Sequence, residues 1–181
     1  MEYHLTLPVS PDLIKKLHIG DVLYITGDIF TARDEAHKTM LEKEKNNLPF
    51  DPSSMALYHC GPLMKKTPNG WEVVSAGPTT SGRMELFEDK FIEKFGVHII
   101  IGKGGMGEKT KKALQRHSAV YTAYTGGAGA LAAERIKNTQ AVYWLEEFGM
   151  PEAVWIFTVK EFGPLIVAMD AFGKSIYRQL E

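Results

Sequence analysis

The sequence predicts an α/β domain, layered and built on mixed sheets, and three observations predict it. The apolar period switches repeatedly between two and 3.6 along the chain. Strand-like stretches outnumber helical ones, and helices follow only selected strands, which argues against a regularly alternating Rossmann sheet. The last third of the chain is almost wholly strand-like.

Taken in order, "DVLYITG" (21–27) alternates as a strand and leads into a helix over "ARDEAHKTMLEKEK", which ends before the polar "NNLPFDP". "MALYHCGP" and "WEVVSAGP" read as strands joined by "KTPNG", where Asn69-Gly70 is a hairpin signal. A helix over 82–95 follows, with Met84, Phe87, Phe91 and Phe95 on its buried face and Gly96 as its stop. Strand "VHIII", the loop "GKGGMG" and a helix over "EKTKKALQRH" come next, then strand "AVYTAYTG" and a helix over "GALAAERIK". The chain closes with "AVYWLEE", "AVWIFTVKEF", "PLIVAMDAFG" and "SIYRQLE" as successive strands.

A chain of 181 residues, 44% of them hydrophobic, suffices for a sizeable core, and one domain over 1–181 is expected. The net charge of −1 gives no footprint for nucleic acid or an anionic membrane, so neither is an expected partner. Cys60 is the only cysteine, which excludes an intrachain disulfide and a cysteine-held metal cluster, and no metal site is expected in this chain. A reducing compartment follows. No basic segment with an apolar run opens the sequence, and no apolar run reaches the roughly 18 residues of a spanning helix, so a cytoplasmic location is expected.

The candidate chemistry lies where strands hand over to helices. Thr31 with Asp34 makes a capping-box-like pair that puts Arg33 in a first helical turn. In "AGPTTSGRME", Thr80 or Ser81 is the expected cap and Arg83 again falls in a first turn, while Lys103 lies in the glycine loop before the next helix. Cations oppose the helix dipole there by about 0.3–1 kcal/mol. Three such placements suit an anion held by free backbone N–H groups and the cations together, although each cation alone would serve equally well as a solvated surface charge. Of the two threonines, capping needs only one, and Gly77, Pro78 and Gly82 around them suit a backbone held close to a ligand.

Two glycine loops invite nucleotide readings. "GKGGMGEKT" misses the P-loop pattern because Glu108 separates the last glycine from Lys109-Thr110. Gly127-x-Gly129-x-x-Ala132, with Glu146 or Glu147 downstream, fits the loose dinucleotide fingerprint, so a nucleotide or dinucleotide-binding module is the alternative from a different class. Close packing of helix on sheet would explain the same glycines. Cys60 reads as a small buried hydrophobe, His59 beside it as a weak feature, and His37, one turn after Arg33, faces either the site or the surface.

In order along the chain, "GDVLYITGDIFTARDEAHKTM", "YHCGP", "SAGPTTSGRME", "IGKGGMG" and "KEFGPLIVAMDAFG" resemble the β subunit of the two-subunit iron–sulfur class I fumarases and L-tartrate dehydratases, the counterpart of the C-terminal domain of single-chain class I fumarases. The similarity spans nearly the whole chain. It implies a swivelling β/β/α fold and a hydro-lyase whose [4Fe–4S] cluster is ligated by a partner α subunit, in an αβ or α2β2 hetero-oligomer. The resemblance assigns Arg33, Thr80, Arg83 and Lys103 to binding of a small dicarboxylate and Thr79 to the catalytic base, activated by a carboxylate of the partner. Malate and fumarate are the expected substrate pair, with room beside Gly82 as the reason for that lean, and tartrate is the alternative.

Overall fold

The computed structural model describes residues 1–125 and 127–177. Five strands, β1 (Glu2–Thr6), β2 (Val22–Thr31), β3 (Ala56–Tyr58), β4 (Leu63–Thr67) and β5 (Gly70–Ser75), precede the central helices. Four more follow: β6 (Ile99–Gly102), β7 (Val120–Tyr124), β8 (Ile136–Tyr143) and β9 (Val154–Met169). The helices are α1 (Pro11–Ile14), α2 (Asp34–Glu42), α3 (Glu88–Phe95), α4 (Glu108–His117), α5 (Gly129–Arg135) and α6 (Leu145–Phe148).

Strands β1, β2, β3, β6 and β7 pair in that order, all parallel. Strand β9 runs antiparallel to β2, β7 and β8. Because β9 pairs with both β7 and β2, the path β2, β3, β6, β7, β9 returns to its start and the sheet closes on itself. On β2, β1 holds residues 22–26 and β3 holds 29–31, while β9 pairs with it from 22 to 30. At the changeover sits Gly27, with φ +134, where a Cβ would stand 2.8 Å from Leu7 Cβ; only glycine lets the chain leaving β1 pass.

Alternation of side chains across the strands then makes two apolar cores. Ile25, Tyr58, Ile101, Trp155 and Phe157 belong to the one between the parallel strands and β9. Phe30, Leu57 and Ile100 point the other way, toward Met40 of α2, Phe91 of α3 and Leu114 of α4. The layers are therefore helices, parallel strands and antiparallel strands, in agreement with the expected mixed α/β architecture.

Local differences from the sequence reading have physical causes. The stretch 82–95 is a 3₁₀ segment, Ser81–Leu86, followed by α3, and Gly96 ends α3 at φ +66 as expected. The Asn69-Gly70 hairpin joins β5 to β4, a strand the reading passed over, and β3 stays in the main sheet. The expected strands on either side of Gly163-Pro164 are one strand, β9, with register shifts against β2 absorbing the interruption. Of the expected last strand, Ser175 bridges to Met169, and Arg178–Glu181 lies outside the described residues.

Candidate functional site

Strands β2, β3 and β6 are neighbours and parallel, so their carboxyl ends meet on one edge, the usual ligand-binding edge of parallel sheets. Arg33 follows β2, His59 to Gly61 follow β3, and Lys103 follows β6. Beyond Tyr58 and Ile101 the strands separate, and the segment from Pro78 to Ser81 fills the gap. Thr79 N–H donates to His59 O at 2.8 Å, Cys60 bridges to Pro78, and Thr80 bridges to Lys103. Arg83 comes with the 3₁₀ turn that follows.

The fold thus gathers Arg33, Thr79, Thr80, Arg83 and Lys103 at one sheet edge. Arg83 Nη2 lies 3.1 Å from Asp34 Oδ2 and 3.5 Å from Thr79 Oγ1, so the guanidinium joins the threonine to the start of α2. Arg33 Nε lies 3.2 Å from Glu152 Oε1, without the alignment of a hydrogen bond. Its side chain crosses Gly61 so closely that a Cβ there would stand 2.6 Å from Nη1. Thr80 and Lys103 are exposed, and neither side chain has a hydrogen bond or ion pair among the described residues. The edge offers three cations and two hydroxyls, enough to bind two carboxylates of one small molecule.

Expectations about helix starts need correction. Thr31 is no cap: it lies in β2, where its hydroxyl donates to Ala153 O at 3.3 Å and accepts from Trp155 N–H at 3.0 Å. Neither Thr80 nor Arg33, the residues at the two cap positions, makes a side-chain cap. The backbone donors of α4 are not free for a ligand either, because Glu85 takes them. Its carboxylate accepts from Gly107 N–H at 2.8 Å, Lys109 N–H at 3.0 Å and Thr110 N–H at 3.3 Å, and from the Thr110 hydroxyl at 2.6 Å. At α2, Glu35 N–H donates to Glu152 at 3.2 Å. An anion at this edge would be held mainly by side-chain cations.

Beneath the cations lies a group that the sequence reading left undecided at His37, slighted at His59 and missed at Glu88. All three are fully buried. His37 Nδ1 contacts Arg33 O at 2.7 Å, and its Nε2 lies 3.2 Å from Glu88 Oε2. His59 Nε2 is 2.9 Å from the same oxygen, while its Nδ1 is 2.8 Å from Ser81 Oγ. Burial opposes ionisation of Glu88, yet the two imidazoles hold its carboxyl down at about 2. Burial pushes His59 below its ordinary value, against the pull of Glu88. The signal for Glu88 was its register: it stands on the stripe of Met84, Phe91 and Phe95, where an apolar residue belongs.

The donors for a [4Fe–4S] cluster are not in this chain. Such a cluster takes several thiolates, and Cys60 is alone, fully buried, with its thiol pushed far up by burial. Among the described residues, His37, His59 and Glu88 form the one group whose donor atoms lie close enough, within 4.8 Å, for a single ion. The glycine-rich loop before α5 is explained by packing: Gly129 lies against Ser75 and Gly77, and Ala76 N–H donates to Gly129 O at 3.1 Å. Gly126 of that loop lies outside the described residues. Among the described residues no helix is long and apolar enough to cross a membrane.

Comparison with known proteins places this chain in a family. Residues 2–180 match the family model described as the fumarase C-terminus. A Methanocaldococcus jannaschii protein provisionally named L(+)-tartrate dehydratase subunit beta is 48% identical over 99% of this chain and 93% of its own length. The L(+)-tartrate dehydratase subunit beta of Escherichia coli is 42% identical over 97% of this chain and 87% of its own. A Geobacillus stearothermophilus protein provisionally named fumarate hydratase class I is 43% identical over 98% of this chain but only 34% of its own length. With a match running from residue 2 to residue 180 and relatives 42–48% identical over nearly its whole length, this chain belongs to the fumarase C-terminus family.

Proposed function

We propose that this chain is the β subunit of a hydro-lyase that interconverts a hydroxy-dicarboxylate and its dehydrated product, with malate and fumarate as the first reading. The observation that carries it is the meeting of three cations and Thr79 at one sheet edge, with the Lys103 ammonium unpaired among the described residues. Arg33 and Arg83 suit the two carboxylates of one substrate, and Lys103 and Thr80 complete the clamp. In the dehydration direction Thr79 takes the proton from the carbon next to the hydroxyl-bearing one. The C–H electrons form the double bond and hydroxide leaves. The Arg83 guanidinium, 3.5 Å from Thr79 Oγ1, lowers the cost of the alkoxide such a base requires.

The chain supplies half of the active site. A [4Fe–4S] cluster finds no ligand set here, so it belongs to a partner α subunit, in a soluble cytoplasmic hetero-oligomer. Tartrate is the second reading, supported by the names of the relatives from Methanocaldococcus jannaschii and Escherichia coli. The two substrates share the dicarboxylate skeleton and differ by a hydroxyl, so the cation clamp serves either.

The test is anaerobic reconstitution with a cluster-bearing α subunit, assayed by absorbance for fumarate from malate and for oxaloacetate from tartrate. Activity in the mixture and in neither chain alone is expected, and the faster reaction names the substrate. A stable complex with an intact cluster that is silent in both assays would sink the reading.

A further inference from the structure

We infer that Glu88 is a positioning residue, which through the buried His37 and His59 fixes the spacing between Arg33 and Lys103 and so sets the affinity of the site for its dicarboxylate. The inference rests on the hydroxy-dicarboxylate reading above and names residues that reading does not use.

The path of hydrogen bonds is continuous. It starts at the carbonyl of Arg33, which can only accept, so His37 Nδ1 carries a proton and donates at 2.7 Å. The Glu88 carboxylate can also only accept, and His37 Nε2 lies 3.2 Å from it. Both ring nitrogens of His37 thus face acceptors. His59 Nε2 donates to the same oxygen at 2.9 Å, which leaves Nδ1 to accept from the Ser81 hydroxyl at 2.8 Å. Ser81 Oγ in turn accepts the backbone N–H of Lys103 at 3.2 Å, and Ser81 N–H donates to Lys103 O at 3.0 Å. One carboxylate thus ties the backbone of Arg33, just after β2, to that of Lys103, just after β6, across the end of β3.

The protein keeps this arrangement at a cost. A buried carboxylate is expensive unless paired, and Glu88 Oε1 has no hydrogen-bond partner among the described residues. Packing alone does not call for it, since Met84, Phe91 and Phe95, the buried residues at the same helical spacing, are all apolar. What the carboxylate adds is a fixed meeting point for two imidazoles from different elements, His37 on α2 and His59 just after β3. The same donors would suit a metal, but atoms bound tetrahedrally at 2.0–2.1 Å stand about 3.4 Å apart. The 2.9 Å from His59 to Glu88 is an N–H···O hydrogen bond.

Two measurements test the inference. In the full chain with ¹⁵N-labelled histidine, His37 is expected to show two protonated ring nitrogens and His59 one, with no stoichiometric metal by elemental analysis. In the reconstituted complex, Glu88→Gln keeps the shape but not the charge; it should raise KM for the turned-over hydroxy acid about tenfold or more and change kcat less than about threefold. Ser81→Ala, which breaks only the last link, should raise KM less, and it carries the test if Glu88→Gln does not fold. A neutral His37, a bound metal, or variants with unchanged KM beside an active wild type would overturn the positioning role alone. A wild-type complex that turns over neither malate nor tartrate would overturn the hydro-lyase reading and this role with it.

Discussion

Gly102 and Ser81 stand so close that a Cβ added to Gly102 would overlap the Ser81 hydroxyl, and it would also come within 3.0 Å of Tyr121 OH and 3.1 Å of His59 Nδ1. The glycine is the space through which Ser81 reaches both His59 and Lys103. Gly102→Ala should therefore lower stability by about 1–3 kcal/mol, the usual cost of forcing extra volume into a packed interior. Urea unfolding checks this. A variant as stable as the parent would mean that the hydroxyl sits elsewhere.

Glu85 fastens the loop of Lys103 from its other end. Its carboxylate receives three backbone N–H groups at the start of α4 and the Thr110 hydroxyl. Truncation would leave those donors unmet, and Thr110 is buried. Glu85→Ala is expected to cost about 1–3 kcal/mol, with Glu85→Gln in between because a neutral amide accepts more weakly. Amide hydrogen exchange at residues 107–110 should accelerate in both variants. Unchanged protection there would show that α4 starts without this cap.

Substitutions at Arg83 and Lys103 should separate binding from folding. Lys103 is exposed and unpaired among the described residues, so Lys103→Ala should change stability by less than about 0.5 kcal/mol. In the reconstituted complex both Lys103→Ala and Arg83→Ala should lose transition-state stabilisation of about 2–5 kcal/mol, seen as a large fall in kcat/KM. Near-normal kinetics in either variant would remove that cation from the site.

How much of this was legible in the sequence depends on the range of the interaction. Local signals served well: Asn69-Gly70 marked a hairpin, Gly96 marked a helix end, and "EKTKKALQRH" is α4 residue for residue. The three strand-to-helix junctions that carry Arg33, Arg83 and Lys103 do meet at one sheet edge. Long-range facts were not legible. Thr31 resembles a cap, but burial in β2 and a bond to Trp155 decide its role. The donors at α4 look free until Glu85, more than twenty residues earlier, is folded against them. The meeting of His37, His59 and Glu88 exists only because β2 and β3 are neighbours with α3 packed over them.

Cys60 tests where a cluster would be held. Its thiol is fully buried and pushed far above its ordinary value by burial, so it should not react with an exposed-thiol reagent until the chain unfolds. Cys60→Ala should leave the iron and sulfide content of a reconstituted complex unchanged. Loss of iron with Cys60→Ala, in a folded chain, would place a cluster ligand in this subunit.

Acid should reveal the buried carboxylate. Glu88 titrates at about 2 in the fold against an ordinary value of 4.5, because the two imidazoles outweigh the opposing effect of burial. Below 4.5 the unfolded chain takes up a proton that the folded one refuses, so the stability Glu88 contributes is complete above 4.5 and lost as the pH falls toward 2. His59 acts in the same sense but earlier: burial holds it below 6.5, so the unfolded chain binds its proton first and stability declines as the pH drops through that value. Urea midpoints taken from pH 7 to pH 3 should therefore fall in two stages. Glu88→Gln should start lower at pH 7 and flatten the second stage. If the variant and the parent kept parallel curves below pH 4.5, Glu88 would not be the ionised partner of the two histidines.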